Sequence, residues 1–81
     1  MNIEIYGKPN CTYCTAAKKV CIANDVHFEY YDISESIEHA TKMATRVEEQ
    51  TGQLPRTVPQ IFVDNVLVKG GFNEFRQMAF E

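Results

Sequence analysis

Asn2-Ile3-Glu4-Ile5-Tyr6-Gly7-Lys8-Pro9-Asn10-Cys11-Thr12-Tyr13-Cys14 holds a strand, a turn and a pair of thiols in one short run. Residues 2 to 6 are rich in β-branched and aromatic side chains, which fit the pleated surface of a strand. Gly7-Lys8-Pro9-Asn10 is a cluster of turn formers and ends it. Beyond the turn the apolar period becomes helical. Tyr13, Ala16, Ala17, Val20 and Cys21 fall on one stripe with Lys18 and Lys19 off it, which predicts a helix from about Asn10 to Asn24. Asn10 is the expected N-cap, because its side-chain oxygen can accept from an unpaired N–H of the first turn. The two cysteines therefore stand where a strand-loop feeds a helix.

Residues 27 to 33 carry Phe28, Tyr30, Tyr31 and Ile33 and form a second predicted strand. Asp32 and Glu35 are spaced as a capping box for the helix that follows. Its stripe is Ile37, Ala40, Met43, Ala44 and Val47, and Thr51-Gly52 supplies the stop before Pro55. Residues 60 to 63 and 66 to 69 are apolar runs separated by Asp64-Asn65, a pair that tolerates the positive φ of a two-residue hairpin turn. Gly70-Gly71 breaks the second run, and Phe72, Phe75, Met78 and Ala79 return at helical spacing. The order is β-α-β-α-β-β-α, an α/β fold. Strands one and two, joined by a helix, should be parallel, and the hairpin should complete a four-stranded mixed sheet flanked by three helices on both faces.

Composition narrows the function. A chain of 81 residues has room for one domain, residues 1–81, and 44% hydrophobic against 23% charged residues is a globular balance. Eight Lys and Arg against eleven Asp and Glu give a net charge of −3 with no basic run, so the footprint of a nucleic-acid binder is missing. No apolar stretch approaches the roughly 20 residues of a membrane span. Glu4, Lys8, Pro9 and Asn10 interrupt any signal-peptide core in residues 1 to 15. Three cysteines are an odd number, too few for a disulfide framework, and point to a cytoplasmic chain whose thiols are kept for chemistry.

A Cys-x-x-Cys serves redox chemistry or forms half of a zinc site. Zinc needs two further ligands, and only Cys21, His27 and His39 remain, with no second pair at ligand spacing; no metal is expected. Cys21 lies seven residues after Cys14, about 10 Å along a helix and beyond disulfide reach, so it is expected as a small core residue. The redox reading fits the placement. Unpaired N–H groups and the helix dipole favour a thiolate at Cys11, with Lys8 a nearby cation. A drop in pKa from about 8.5 to about 6.5 turns a few per cent of thiolate at pH 7 into a majority. Cys11 is thus the candidate nucleophile and Cys14, one turn deeper, the resolving thiol.

Three motifs then stand in register: Cys11-Thr12-Tyr13-Cys14, close to a Cys-Pro-Tyr-Cys; Thr57-Val58-Pro59 followed by Gln60-Ile61-Phe62-Val63-Asp64; and Gly70-Gly71-Phe72-Asn73. With these the sequence resembles the glutaredoxin family, small glutathione-dependent members of the thioredoxin fold, over essentially its full length. The resemblance implies a thiol–disulfide oxidoreductase with glutathione as co-substrate, reducing protein disulfides and glutathione mixed disulfides. Ribonucleotide reductase is the family-level candidate for a protein partner, and a monomer is expected. The resemblance also implies that Pro59 is cis and that the Val58 N–H and C=O pair with an extended cysteinyl peptide, flanked by Thr57, in the manner of strand addition. Gly70, Gly71 and Asn73 would open the last helix, whose N–H groups receive the γ-glutamyl carboxylate. Lys8 and Arg56 would take the glycyl carboxylate, and Tyr13 would line the groove beside the sulfur. Phe62, Phe72 and Phe75 repeat at strand and helix periods and are expected in the core. Two departures stand out: Thr12 replaces the usual proline, and Asn73-Glu74 stands where the family usually has Ser/Thr-Asp. Two other functions compete: a redoxin recharged by thioredoxin reductase, and an iron–sulfur carrier holding its cluster through Cys11 and glutathione.

Overall fold

In the computed structural model, which describes residues 1–78 and 80, the elements follow the predicted order. They are β1 (Ile3–Gly7), α1 (Thr12–Ala23), β2 (Phe28–Asp32), α2 (Ile37–Thr51), β3 (Gln60–Val63), β4 (Val66–Leu67) and α3 (Gly71–Phe75). The strands form one sheet in the order β2-β1-β3-β4. β1 runs parallel to β2, with Ile3 beside Phe28, and antiparallel to β3, with Ile3 beside Val63. β3 and β4 are antiparallel. Asp64 and Asn65 join them with φ of 51° and 69°, the left-handed pair that a tight hairpin needs.

Alternation along β1 divides the core in two. Ile3 and Ile5 face one side, where they pack with Ala17 and Cys21 of α1, Ile61 of β3, Val68 and Phe75 of α3. Tyr6 faces the other, with Met43 and Val47 of α2, Phe62 and Leu67. So α1 and α3 cover one face of the sheet and α2 covers the other, which is the predicted layering. Burying a side chain such as Phe75 completely contributes about 2–3 kcal/mol. Glu4, on the α2 side, is bound by Arg46 Nη2 at 3.0 Å, while Arg46 Nη1 donates to the Tyr6 hydroxyl at 3.1 Å.

Several local expectations are corrected. Asn10 takes φ of 61° and ends the loop, and the N-cap of α1 is Cys11, whose sulfur accepts the Cys14 N–H. Cys14, not Tyr13, belongs to the buried stripe of α1; Tyr13 is 59% exposed. Asp32 binds the Ser34 N–H and hydroxyl, so it shapes the turn after β2, while the cap of α2 falls to Ser36, which accepts from His39 N–H. Ile37 is 83% exposed because the first turn of α2 carries its side chain away from the sheet. The stop at Gly52 is as expected, in the left-handed region at φ 77° with its N–H on Glu48 O. β4 is shorter than residues 66 to 69, since Gly71 N–H turns back to Val68 O. α3 ends at Phe75, Met78 packs against the core beyond it, and Ala79 lies outside the described residues. No helix among the described residues is long and apolar enough to cross a membrane.

Candidate active site

β1 delivers the chain to the end of the sheet at Gly7, the loop turns over Lys8 to Asn10, and Cys11 opens α1. Cys11 and Cys14 are joined as a disulfide with their Cα atoms 5.2 Å apart. Their surroundings differ. Cys14 is fully buried, whereas Cys11 is partly exposed. The Cys14 N–H points at Cys11 Sγ from 3.3 Å, so an unpaired donor of the helix start lies on this sulfur. Donors and a positive dipole end there stabilise negative charge on Cys11.

Gly7 lies beside the buried sulfur and against the Tyr30 hydroxyl, and neither residue was among the expected site residues. A Cβ at Gly7 would collide with the Tyr30 hydroxyl and stand 2.9 Å from Cys14 Sγ. Glycine here leaves both side chains where they are; any Cβ would make one of them shift. Tyr30 donates to Lys8 O at 3.4 Å, and Lys18 Nζ lies 4.2 Å from the centre of its ring. Burial, and secondarily Asp32, raises the Tyr30 pKa, so it stays a neutral donor. The sequence signal for Gly7 was its place between a strand and a Cys-x-x-Cys loop, where it reads first as a turn former.

Val58 meets Cys11 from the other side. Its carbonyl oxygen lies 3.9 Å from Cys11 Sγ, and the Val58-Pro59 bond is cis, as the resemblance implied. Tyr13, Thr57, Val58, Pro59, Gly70, Gly71, Phe72 and Asn73 line a groove of about 320 Å3. Lys8 and Arg56 line an adjoining recess of about 200 Å3 that shares Thr57 and Val58 with the groove. The residues singled out in sequence thus line adjoining recesses beside Cys11, although α1, α2 and three strands lie between the first and the last of them along the chain. Phe72 has a double place: it packs on the core and also walls the groove, its ring 5.6 Å from that of Tyr13. Phe62 and Phe75 are core, as expected. A third recess, of about 480 Å3, lies along the outer face of α1 from Asn10 and Cys11 to Lys19.

The donors at the start of α3 are partly committed. Gly70 N–H binds Glu74 Oε1 at 2.8 Å and Gly71 N–H binds Val68 O at 3.0 Å. Cys21 lies in the α1–sheet core as expected, and burial pushes its thiol up to about 11. Among the described residues no group of three or more His, Cys, Asp or Glu side chains is gathered as for a metal ion.

The glutaredoxin family model matches residues 3–68, from the first strand through the hairpin. The chain belongs to the glutaredoxin family. Glutaredoxin 1 of Salmonella typhimurium is 36% identical over 83 residues, covering 95% of this chain and 88% of that protein. The mitochondrial glutaredoxin-2 of Rattus norvegicus is 28% identical over 74 residues, and there the chain spans 45% of the relative's length. The crystal structure of glutaredoxin 1 from Francisella tularensis complexed with cacodylate superposes with a TM-score of 0.65 at 28% identity, over 93% of this chain and 87% of that one. The glutaredoxin-like NrdH-redoxin of Escherichia coli, described as having a thioredoxin-like activity profile, shares the fold with a TM-score of 0.70 at 21% identity and full coverage of both chains. These likenesses establish the thioredoxin-like α/β fold. A glutaredoxin-family chain that keeps its Cys-x-x-Cys pair is a thiol–disulfide oxidoreductase.

Proposed function

We propose that this glutaredoxin-family chain reduces protein disulfides and glutathione mixed disulfides by a dithiol mechanism and is recharged by glutathione in the cytoplasm. The observation that carries the reading is the asymmetry of the pair, with Cys11 reachable and capped by an N–H donor and Cys14 buried behind it. In the reduced chain the Cys11 thiolate attacks one sulfur of the substrate, forming a Cys11 mixed disulfide and releasing the other half as a thiolate that takes up a proton. Cys14 loses its proton and attacks Cys11 Sγ, which frees the remaining thiol and leaves the Cys11–Cys14 disulfide. Two glutathione molecules return the pair to the dithiol and leave as glutathione disulfide, so two electrons pass in each turn. Val58 beside Cys11 and the cations Lys8 and Arg56 in the adjoining recess suit an extended cysteinyl peptide with a terminal carboxylate. Ribonucleotide reductase stands as the candidate protein substrate, with the chain acting as a monomer.

A second reading is supported by one observation. With Gly70 and Gly71 N–H committed to Glu74 and Val68, fewer donors face a γ-glutamyl carboxylate, which favours recharging by thioredoxin reductase as in a redoxin. A steady-state assay with glutathione plus its reductase against thioredoxin reductase as electron source separates the two. The first reading expects turnover with glutathione; turnover with thioredoxin reductase alone overturns it.

A further inference from the structure

We propose that the recess along the outer face of α1 is a second substrate subsite. It receives the departing half of a protein disulfide and favours a segment with an acidic side chain about three residues from its cysteine, the spacing set by the helix rise and the reach of an extended chain. This inference rests on the groove beside Val58 taking the half that Cys11 attacks.

Cys11 stands between two cavities. Its sulfur lies 3.9 Å from the carbonyl oxygen of Val58, a residue of the groove, and Cys11 itself lines the recess of about 480 Å3 that runs on to Lys19. With one half of a disulfide in the groove, the chain that carries the other sulfur needs a path that starts at Cys11. Thr12, Thr15 and Ala16 floor that path. Their side chains are short, which leaves the surface open to an extended main chain, and the threonine hydroxyls can bond its peptide groups. The charge of the occupant follows from α1, which carries Lys18 and Lys19 and no Asp or Glu on a chain of net charge −3. Lys18 is turned to the Tyr30 ring, 4.2 Å from its centre, so Lys19 is the cation at the far end of the recess. Lys19 is exposed, and the ion pairs among the described residues join His27 with Glu29 and Arg46 with Glu4, so none of them neutralises it. It follows Cys11 by eight residues, about 12 Å of helix at 1.5 Å per residue, and a helical side chain leans back toward the N-terminus. An extended segment covers the remaining span in about three residues of roughly 3.3 Å each. An acidic side chain at that place meets Lys19, and a basic one is repelled.

The test uses Cys14→Ser, which stops after the first exchange, at low ionic strength. Its substrates are mixed disulfides of glutathione with end-blocked peptides that carry Glu, Ala or Lys three residues before or after the cysteine. The Cys11 thiolate attacks the glutathione sulfur, the Cys11–glutathione bond replaces the glutathione–peptide bond, and the peptide leaves as a thiolate that takes up a proton from water. In one of the two chain directions the Glu peptide should react faster than the Ala peptide, and the Lys peptide more slowly. Adding Lys19→Gln should lower the Glu-to-Ala rate ratio by about two- to fivefold, the range of one exposed ion pair, and Lys19→Glu should lower it further. Lys42→Gln makes the same change of net charge on the exposed face of α2 and should keep the original ratio. An unchanged ratio in both Lys19 variants overturns the proposal, as does an equal fall in Lys42→Gln. Mass spectrometry of the product tests the premise separately. Glutathione on Cys11 with a flat ratio strikes the recess alone, whereas the peptide on Cys11 contradicts the groove reading and the proposal falls with it.

Discussion

Adding one methyl at Gly7 would drive into the Tyr30 hydroxyl and crowd Cys14 Sγ at 2.9 Å. Gly7→Ala should destabilise the reduced protein by about 1–3 kcal/mol, the usual cost of overpacking, in denaturant unfolding. Because the displaced sulfur is that of Cys14, protein-disulfide reduction should slow more than attack on a glutathione mixed disulfide. Removing the colliding oxygen with Tyr30→Phe in the same chain should recover part of both losses; no recovery would mean that the clash lies elsewhere. Cys21 is buried in the core beneath α1. Its folded pKa of about 11 lies above the ordinary 9.0, so the unfolded chain ionises first. The stability present below pH 9 should fall as pH rises from about 9 to about 11, and Cys21→Ala should flatten that decline. In the native disulfide form, iodoacetamide at pH 8 should label no cysteine, and in denaturant Cys21 alone.

α2 clamps the hairpin. Gln50 Nε2 donates to Asn65 O and Gln50 Oε1 accepts Leu67 N–H, each at 2.8 Å, and Arg46 Nη2 reaches Asn65 Oδ1 at 3.3 Å. Gln50→Ala leaves the partly buried Leu67 N–H without its partner and should cost about 1–3 kcal/mol. Hydrogen exchange should quicken at Leu67 while the amides of β1 keep their protection. The element order, the hairpin turn and the Gly52 stop were legible in sequence because each depends on local period or on a φ that few residues adopt. The caps were less so. Rules for N-caps are written for side-chain oxygens, and at α1 a sulfur does the work once Asn10 has taken a left-handed φ. At α2 the capping-box spacing of Asp32 and Glu35 was genuine but competed with Ser36, and Asp32 was drawn instead to Ser34. Those bonds hold the Asp32 carboxyl below its usual pKa, so this turn is favoured above the unfolded value and loosens as pH falls.

Over the whole molecule, the site forms where the end of β1, the start of α1, the loop before β3 and the start of α3 meet at one end of the sheet. Motif spacing indicated which residues belong there; it could not show that Gly7 lies between the Tyr30 hydroxyl and the Cys14 sulfur, because that depends on the parallel pairing of β1 with β2. The chain carries −3 overall, yet Lys8, Lys19 and Arg56 line the recesses around Cys11. Reduction of a peptide disulfide flanked by acidic residues should therefore slow as ionic strength rises, while a small uncharged disulfide is reduced at a constant rate. In the proposed mechanism Cys11 is the sulfur that attacks and Cys14 the one that resolves. Cys14→Ser treated with glutathione disulfide, then mapped by peptide mass spectrometry without reduction, separates the two roles. One glutathionyl group on Cys11, with Cys21 unmodified, is the predicted result; a protein that stays unmodified, or carries the group on Cys21, would contradict it.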